Sequence, residues 1–392
     1  MRHKKEKIMH RNSPTRSFAL LAFCLSVVFV SAGCGGGSVS SSSPPVTGGS
    51  TTHTYSQEAA FGIQTLQKWY VQSSGLYLAP SGWWETANSM TTLANYEHVT
   101  GDTAYESVLA NTFAKAQTTH ANFIDSYDDD EGWWALALID AYDLTGTQSN
   151  LIMAETIFAD IAAEWDTTTC GGGVWWEKPS SGVTEYKNAI ANELFLTVAA
   201  KLANRNTGTT SAGYLSWAQE EWTWFKASGM INPQNLINDG LTASTGNACI
   251  NNGKTTWTYN QGVILGGLVE LYKADQDPTL LPQAETIANA TIANLTTPSG
   301  VLTEWTISGT DAPQFKGVFM RNLMALYGAL PSTSAQSAQY KAFAETNANS
   351  IWTNDQAAGY EFGAHWEGPF DSADATRQSS ALDALVAAAA MQ

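Results

Sequence analysis

The chain has 392 residues, only 14% of them charged, and 36 acidic residues against 19 basic ones give a formal net charge of −17. A chain this acidic does not seek nucleic acid or anionic lipid, whose phosphates need basic surfaces. It carries 15 tryptophans, flat rings that suit the apolar faces of sugars as well as a protein core.

At the N-terminus, Arg2, Lys4, Lys5, Lys7, Arg11 and Arg16 precede the apolar run Phe18 to Val30, so residues 1–33 read as a secretory signal peptide. The junction "VSAGCGGGSVSSSSPP" resembles a lipoprotein signal with Cys34 as the lipidated first residue, although Ser31 stands where an aliphatic residue is usual. Residues 34–54 then form a flexible Gly/Ser/Pro-rich linker. Without residues 1–33 the chain keeps 13 basic and 35 acidic residues, a net charge of −22. In an exported protein the two remaining cysteines, Cys170 and Cys249, are expected to form a disulfide. The six histidines are scattered, and there is no CxxC, HExxH, GxSxG or phosphate-binding glycine loop. No metal and no organic cofactor is expected.

From Tyr55 onward the pattern is helical, with no second linker, so residues 55–392 are expected to form one domain. Amphipathic helices are expected near 56–72, 103–119, 150–164, 213–227, 279–295 and 334–352. Between them lie helices apolar nearly all round, near 85–98, 131–144, 188–203, 257–273, 316–329 and 376–391. One buried face marks an outer helix, and apolar residues on every face mark an inner one. Strict alternation of six and six implies an all-α (α/α)6 barrel. All inner helices then run parallel, and the loops leading into them share one mouth. Those loops hold the unusual clusters: "GWWETANS", "YDDDEGWW", "GGGVWWEKPSSGVTEYKN", "TTWTYNQG", "QFKGVF" and "HWEGPF".

The group Asp128, Asp129, Asp130 and Glu131 opens the second inner helix. An acid there can cap free N–H groups and meet the positive end of the helix dipole. A cap needs one carboxylate, however, and four repel each other. Consecutive Asp residues have Cα atoms about 3.8 Å apart and can present two carboxyls to one sugar. That suits a retaining glycosidase, in which one carboxyl attacks the anomeric carbon and the other protonates the leaving oxygen.

"YDDDEGWWALALIDAYDLTG" resembles the aspartate-pair motif of glycoside hydrolase family 76, the endo-α-1,6-mannanases and their fungal cell-wall relatives. "CGGGVWWEKPSSGVTEYKNAIANELFLTVAAKLA", "WTYNQGVILGGLVELY" and "FKGVFMRNL" resemble the family in the same order. The resemblance implies a retaining hydrolase acting inside α-1,6-mannan chains, with no cofactor, working as a monomer on a polysaccharide and reaching the membrane only through a lipid anchor. The frame that leaves two residues between the pair and the tryptophans makes Asp129 the nucleophile and Asp130 the acid/base. Asp128 is then an extra acid, a helix cap grouped with the substrate-binding residues. The frame one residue earlier gives the pair as Asp128 and Asp129.

Trp133, Trp175 and Trp176 are candidate sugar platforms, Trp133 being also a natural core residue. Lys187, Asn188, Tyr259, Asn260 and Lys316 are candidate substrate contacts. For Tyr259 and Asn260 the plain alternative is a helix cap, and Lys316 sits near a helix N-terminus, where a cation is disfavoured. Arg321 is expected to pair with a buried acid, and His365, Trp366 and Glu367 stand at the sixth loop. Two other functions fit the same residues: a mannan transglycosylase, and a surface glycan-binding lipoprotein without catalysis.

Overall fold

Residues 53–79, 82–181, 186–243 and 248–392 are described by a computed structural model. The expected signal peptide, Cys34 and nearly all of the linker lie outside them. Four helices start at a side-chain cap: Thr54 with Gln57 in a capping box, Asn188, Ser334 and Asp374 each accept a bond from a backbone N–H of the first turn.

Twelve helices result among the described residues: α1 (Tyr55–Leu66), α2 (Trp84–Thr100), α3 (Glu106–Ala116), α4 (Asp128–Thr145), α5 (Gln148–Ala163), α6 (Ala189–Arg205), α7 (Gly208–Ser228), α8 (Thr258–Asp275), α9 (Leu280–Asn294), α10 (Ala312–Ala329), α11 (Ala335–Asn354) and α12 (Ala375–Ala390). The even-numbered helices pack in a ring, α2 on α4, α4 on α6 and onward to α12, which returns to α2. The odd-numbered helices lie outside it, with α5 on α4, α7 on α6, α9 on α8, and α11 and α1 on α12. This is the expected (α/α)6 barrel.

Inner helices approach closely where side chains vanish. A Cβ on Gly317 of α10 would sit 2.6 Å from the Cα of Ser380 in α12. Arg321, on the same helix, pairs with Asp383 at 3.1 Å and bonds Asn88.

The first helix is shorter than expected. It stops at Leu66, and a two-stranded hairpin follows, β1 (Tyr70–Val71) with β2 (Leu76–Tyr77). Aromatic and β-branched residues ahead of a Ser-Ser-Gly turn favour strand over helix, and Gly75 takes the positive φ of 71° that the turn requires. Two further hairpins, β3 (Leu241–Ala243) with β4 (Cys249–Asn251) and β5 (Gln356–Ala357) with β6 (Glu361–Phe362), ornament the loops. The disulfide Cys170–Cys249 ties the loop between α5 and α6 to β4. No helix among the described residues is long and apolar enough to cross a membrane.

Candidate active site

Because all inner helices run the same way, their N-termini converge. A cavity of about 550 Å³ opens there. Trp83 and Trp84 of the first inner helix, Tyr127, Asp129, Asp130 and Trp133 of the second, and Trp176, Tyr186 and Asn188 ahead of the third line it. Asp239, Trp257 and Tyr259 around the fourth, and Asp311 and Phe315 at the fifth, complete the wall.

The three aspartates separate by direction. Asp129 and Asp130 face the cavity, whereas Asp128 is fully buried on the other side of α4, next to Glu131 one turn on. Lys178 reaches into that space. Its ammonium bonds Glu131, lies 2.6 Å from Asp160 and 3.9 Å from Asp128, and donates to the carbonyl of Asp125 at 3.0 Å. Asp128 is therefore neither a sugar contact nor a cap: the N-cap of α4 is Tyr127, and the Asp128 carboxyl accepts no hydrogen bond among the described residues. Burial, with Lys178 working against it, pushes Asp128 up to about 9.

Asp129 and Asp130 have different surroundings. One Asp129 oxygen accepts the indole N–H of Trp176 at 2.9 Å, and the other accepts the backbone N–H of Asp130 at 3.1 Å. Burial raises Asp129 to about 7, and these donors hold it from going further. Asp130 accepts no side-chain or backbone donor among the described residues. Burial first, then the charge of Asp129, raises it well above the carboxylate range. Both carboxyls are raised, Asp130 further than Asp129, so of the two Asp129 gives up its proton more readily.

Trp176 is held in place by backbone pairing: Asp128 N–H donates to Trp176 O at 3.1 Å, and Lys178 N–H donates to Ser126 O at 2.9 Å. On the opposite wall, Asp239 accepts from Tyr186 Oη at 2.5 Å and from Trp257 Nε1 at 3.1 Å. The 239–241 segment can run against 187–189 because residue 240 is glycine. A Cβ there would lie 2.8 Å from Asn188 Cα and 2.6 Å from the Tyr186 hydroxyl. The floor is aromatic: Trp133 lies 6.0 Å from Trp84 and 6.5 Å from Tyr259, and Tyr259 stacks on Phe315 at 3.9 Å between centroids.

Asp129, Asp130, Trp133, Trp176, Asn188 and Tyr259 therefore meet in one cavity. Asn188 also caps α6, its side chain accepting from Ala191 N–H at 3.2 Å. The other expected contacts do not reach it. Trp175 is buried beneath the Lys187 ammonium, 4.6 Å from its ring. Lys187 is buried and donates to the carbonyls of Asp166, Thr169 and Gly172 at 2.6–2.8 Å, which fastens the loop. Asn260 is fully buried and, unlike its neighbour Tyr259, does not line the cavity. Lys316 donates to Ala364 O at 2.8 Å and lies over Trp366 at 4.2 Å, in a separate cavity.

Residues 51–392 match the family model described as Glycosyl hydrolase family 76. The chain belongs to this family. A mannan endo-1,6-alpha-mannosidase of Candida albicans is 29% identical over 219 residues, covering 52% of this chain and 47% of its own. The chain thus aligns with about half the length of that relative. The corresponding Saccharomyces cerevisiae protein is 26% identical over 348 residues, covering 81% of this chain and 74% of its own.

Among solved structures, an inactive variant of an alpha-1,6-mannanase of Salegentibacter, with two consecutive aspartates changed to alanine and alpha-1,6-mannotetrose bound, superimposes with a TM-score of 0.78. It is 22% identical and covers 87% of this chain and all of its own. The Dfg5 protein of Chaetomium thermophilum with glucosamine has a TM-score of 0.74 at 21% identity, covering 86% and 90%. At this identity the likeness speaks for the fold.

Several residues of this family 76 cavity lay outside the sequence expectation. Trp83, Trp84, Trp257 and Phe315 stood in loops singled out only as clusters. Asp239 sits in an Asn-Asp-Gly stretch that reads as a plain turn. Lys178, which lies outside the cavity beside Asp128, stood in the third quoted loop and was not singled out.

Proposed function

We propose that the protein is an endo-acting, retaining hydrolase of α-1,6-mannan, with Asp129 as nucleophile and Asp130 as acid/base. The observation that carries this is the adjacent pair of unlike carboxyls on one open, aromatic-walled cavity. The bound mannotetrose and replaced aspartate pair of the Salegentibacter neighbour, and the activity named for the yeast relatives, support the substrate.

In this reading Asp130 protonates the glycosidic oxygen while the Asp129 anion attacks the anomeric carbon from the other face. The mannosyl-enzyme ester that forms is opened by water, whose proton Asp130, now ionised, accepts. The Trp176 N–H and the N-terminus of α4 favour the Asp129 anion before attack. Trp84, Trp133 and Tyr259 offer apolar faces to mannose rings, and Asp239, fixed by two aromatic donors, offers lone pairs to sugar hydroxyls. No step draws on a metal or an organic cofactor. We further propose that the protein is exported, tethered through a lipid on Cys34, and monomeric.

A panel of α-1,6-, α-1,2- and α-1,3-linked mannans tests the assignment by product sizing. Oligosaccharides of several lengths should appear early, and from the α-1,6 polymer alone. Release of mannose only, or preference for another linkage, contradicts it.

A further inference from the structure

One tryptophan outside the aromatic wall of the catalytic cavity is turned to solvent. Trp305, in the loop between α9 and α10, is 81% exposed, twice the exposure of Trp176 at 39%. Its stem is fixed all the same. The backbone N–H of Trp305 donates to Glu304 Oε1 at 2.9 Å, and the buried Glu304 accepts from both the backbone N–H and the hydroxyl of Thr258 at the start of α8, at 3.0 and 2.6 Å. A large apolar ring held in water on a rigid backbone is ready to bind, since little order remains to be lost.

Trp305 forms a ridge between two cavities. One, of about 780 Å³, is lined also by Asn238, Thr255 and Thr256. The other, of about 440 Å³, holds Lys316, His365 and Glu367. Both adjoin the catalytic cavity through chain neighbours. Asn238 and Thr256 face the first while Asp239 and Trp257 face the catalytic cavity. Lys316 faces the second while Phe315 faces the catalytic cavity. Consecutive Cα atoms are about 3.8 Å apart, so these walls are one residue thick. The two cavities that Trp305 divides thus lie beside the catalytic one, at Trp257 and at Phe315.

We propose that Trp305 is the platform of an outlying glycan site, which holds neutral hexose units of the same polysaccharide chain whose scissile bond lies at Asp129 and Asp130. The occupant is uncharged because the surrounding chain is strongly acidic. The site lengthens the grip on polymer and adds nothing for a substrate too short to span both places. This inference rests on the enzyme being a glycan hydrolase.

Trp305→Ala and Trp305→Phe, each combined with Asp130→Asn so that substrate stays uncut, are titrated by calorimetry with polymeric α-1,6-mannan and with α-1,6-mannotriose. Thermal melts confirm that this exposed position leaves the fold intact. Polymer affinity should fall about tenfold with Ala, the loss of one stacked ring, and recover mostly with Phe, while the trisaccharide shifts by less than about twofold. Equal polymer affinity in all three proteins, or an equal loss for polymer and trisaccharide, overturns the inference. If the parent protein cleaves a different neutral glycan of the panel, the titration uses that polymer. The substrate assignment then fails alone, and the Trp305 comparison still decides. If no glycan binds, both fall.

Discussion

At the scale of single residues, two adjacent carboxyls of the cavity are made unlike. Their covalent chemistry is identical, so the difference comes from neighbours: Asp129 receives the Trp176 indole and a backbone N–H, and Asp130 receives the charge of Asp129. Removing the indole donor tests this. A hydrogen bond to a charged group contributes roughly 1.5–3 kcal/mol, which corresponds to about one pH unit or more. Trp176→Phe keeps an aromatic ring but loses the N–H, so the Asp129 anion loses support and its proton is held more tightly. The acid limb of kcat/KM, expected near 7, should therefore move up by about one unit. A profile lying over that of the unaltered enzyme would show that the bond does not tune Asp129.

At the scale of elements, the barrel was legible because burial leaves a clear trace. Inner helices such as α4 carry apolar side chains on every face, and outer helices bury one face only. Parallel inner helices then place the mouth, and the cavity opens there. The direction of single side chains was not legible. Successive residues on a helix point about 100° apart, so Phe315 meets the cavity while Lys316 turns into the neighbouring one. The same rotation sends Asp128 to Lys178 and leaves Asp129 and Asp130 at the site. Asp239 could not be found from local pattern, because only the close approach allowed by Gly240 brings its loop beside Asn188. Close approach also governs α10 and α12. Gly317→Ala drives a Cβ to 2.6 Å from the Ser380 backbone, and overpacking of this kind costs about 1–3 kcal/mol. Denaturant unfolding should show a lowered midpoint with an unchanged slope, and a midpoint equal to that of the unaltered protein would mean that the helices part without strain.

At the scale of the whole molecule, many buried acids make stability depend on pH. Burial lifts Glu58 and Asp355 to about 7, Glu131 to about 8 and Asp128 to about 9, and raises Glu193 and Glu221 well above the usual range. In the unfolded chain these groups titrate near 4, so between the two values the folded state holds more protons. Their contribution is complete below the unfolded pKa and is lost as pH climbs through the folded values. Lys316, lowered by burial to about 7, acts the other way above neutrality, but it is one group against six. Thermal melts should fall by at least about 5 °C between pH 5 and pH 9, and a midpoint that rises across this range would contradict the burial of these acids.

If Asp129 and Asp130 cleave α-1,6-mannan by double displacement, the anomeric configuration of the bond is kept in the first product. Proton NMR of the linear polymer's digestion, recorded before mutarotation for the unaltered enzyme and for Asp129→Asn and Asp130→Asn, reads this out. The α-anomer should appear first from the unaltered enzyme, and each variant should lose activity by at least about 100-fold. Initial release of the β-anomer, or near-normal turnover by either variant, would contradict this mechanism.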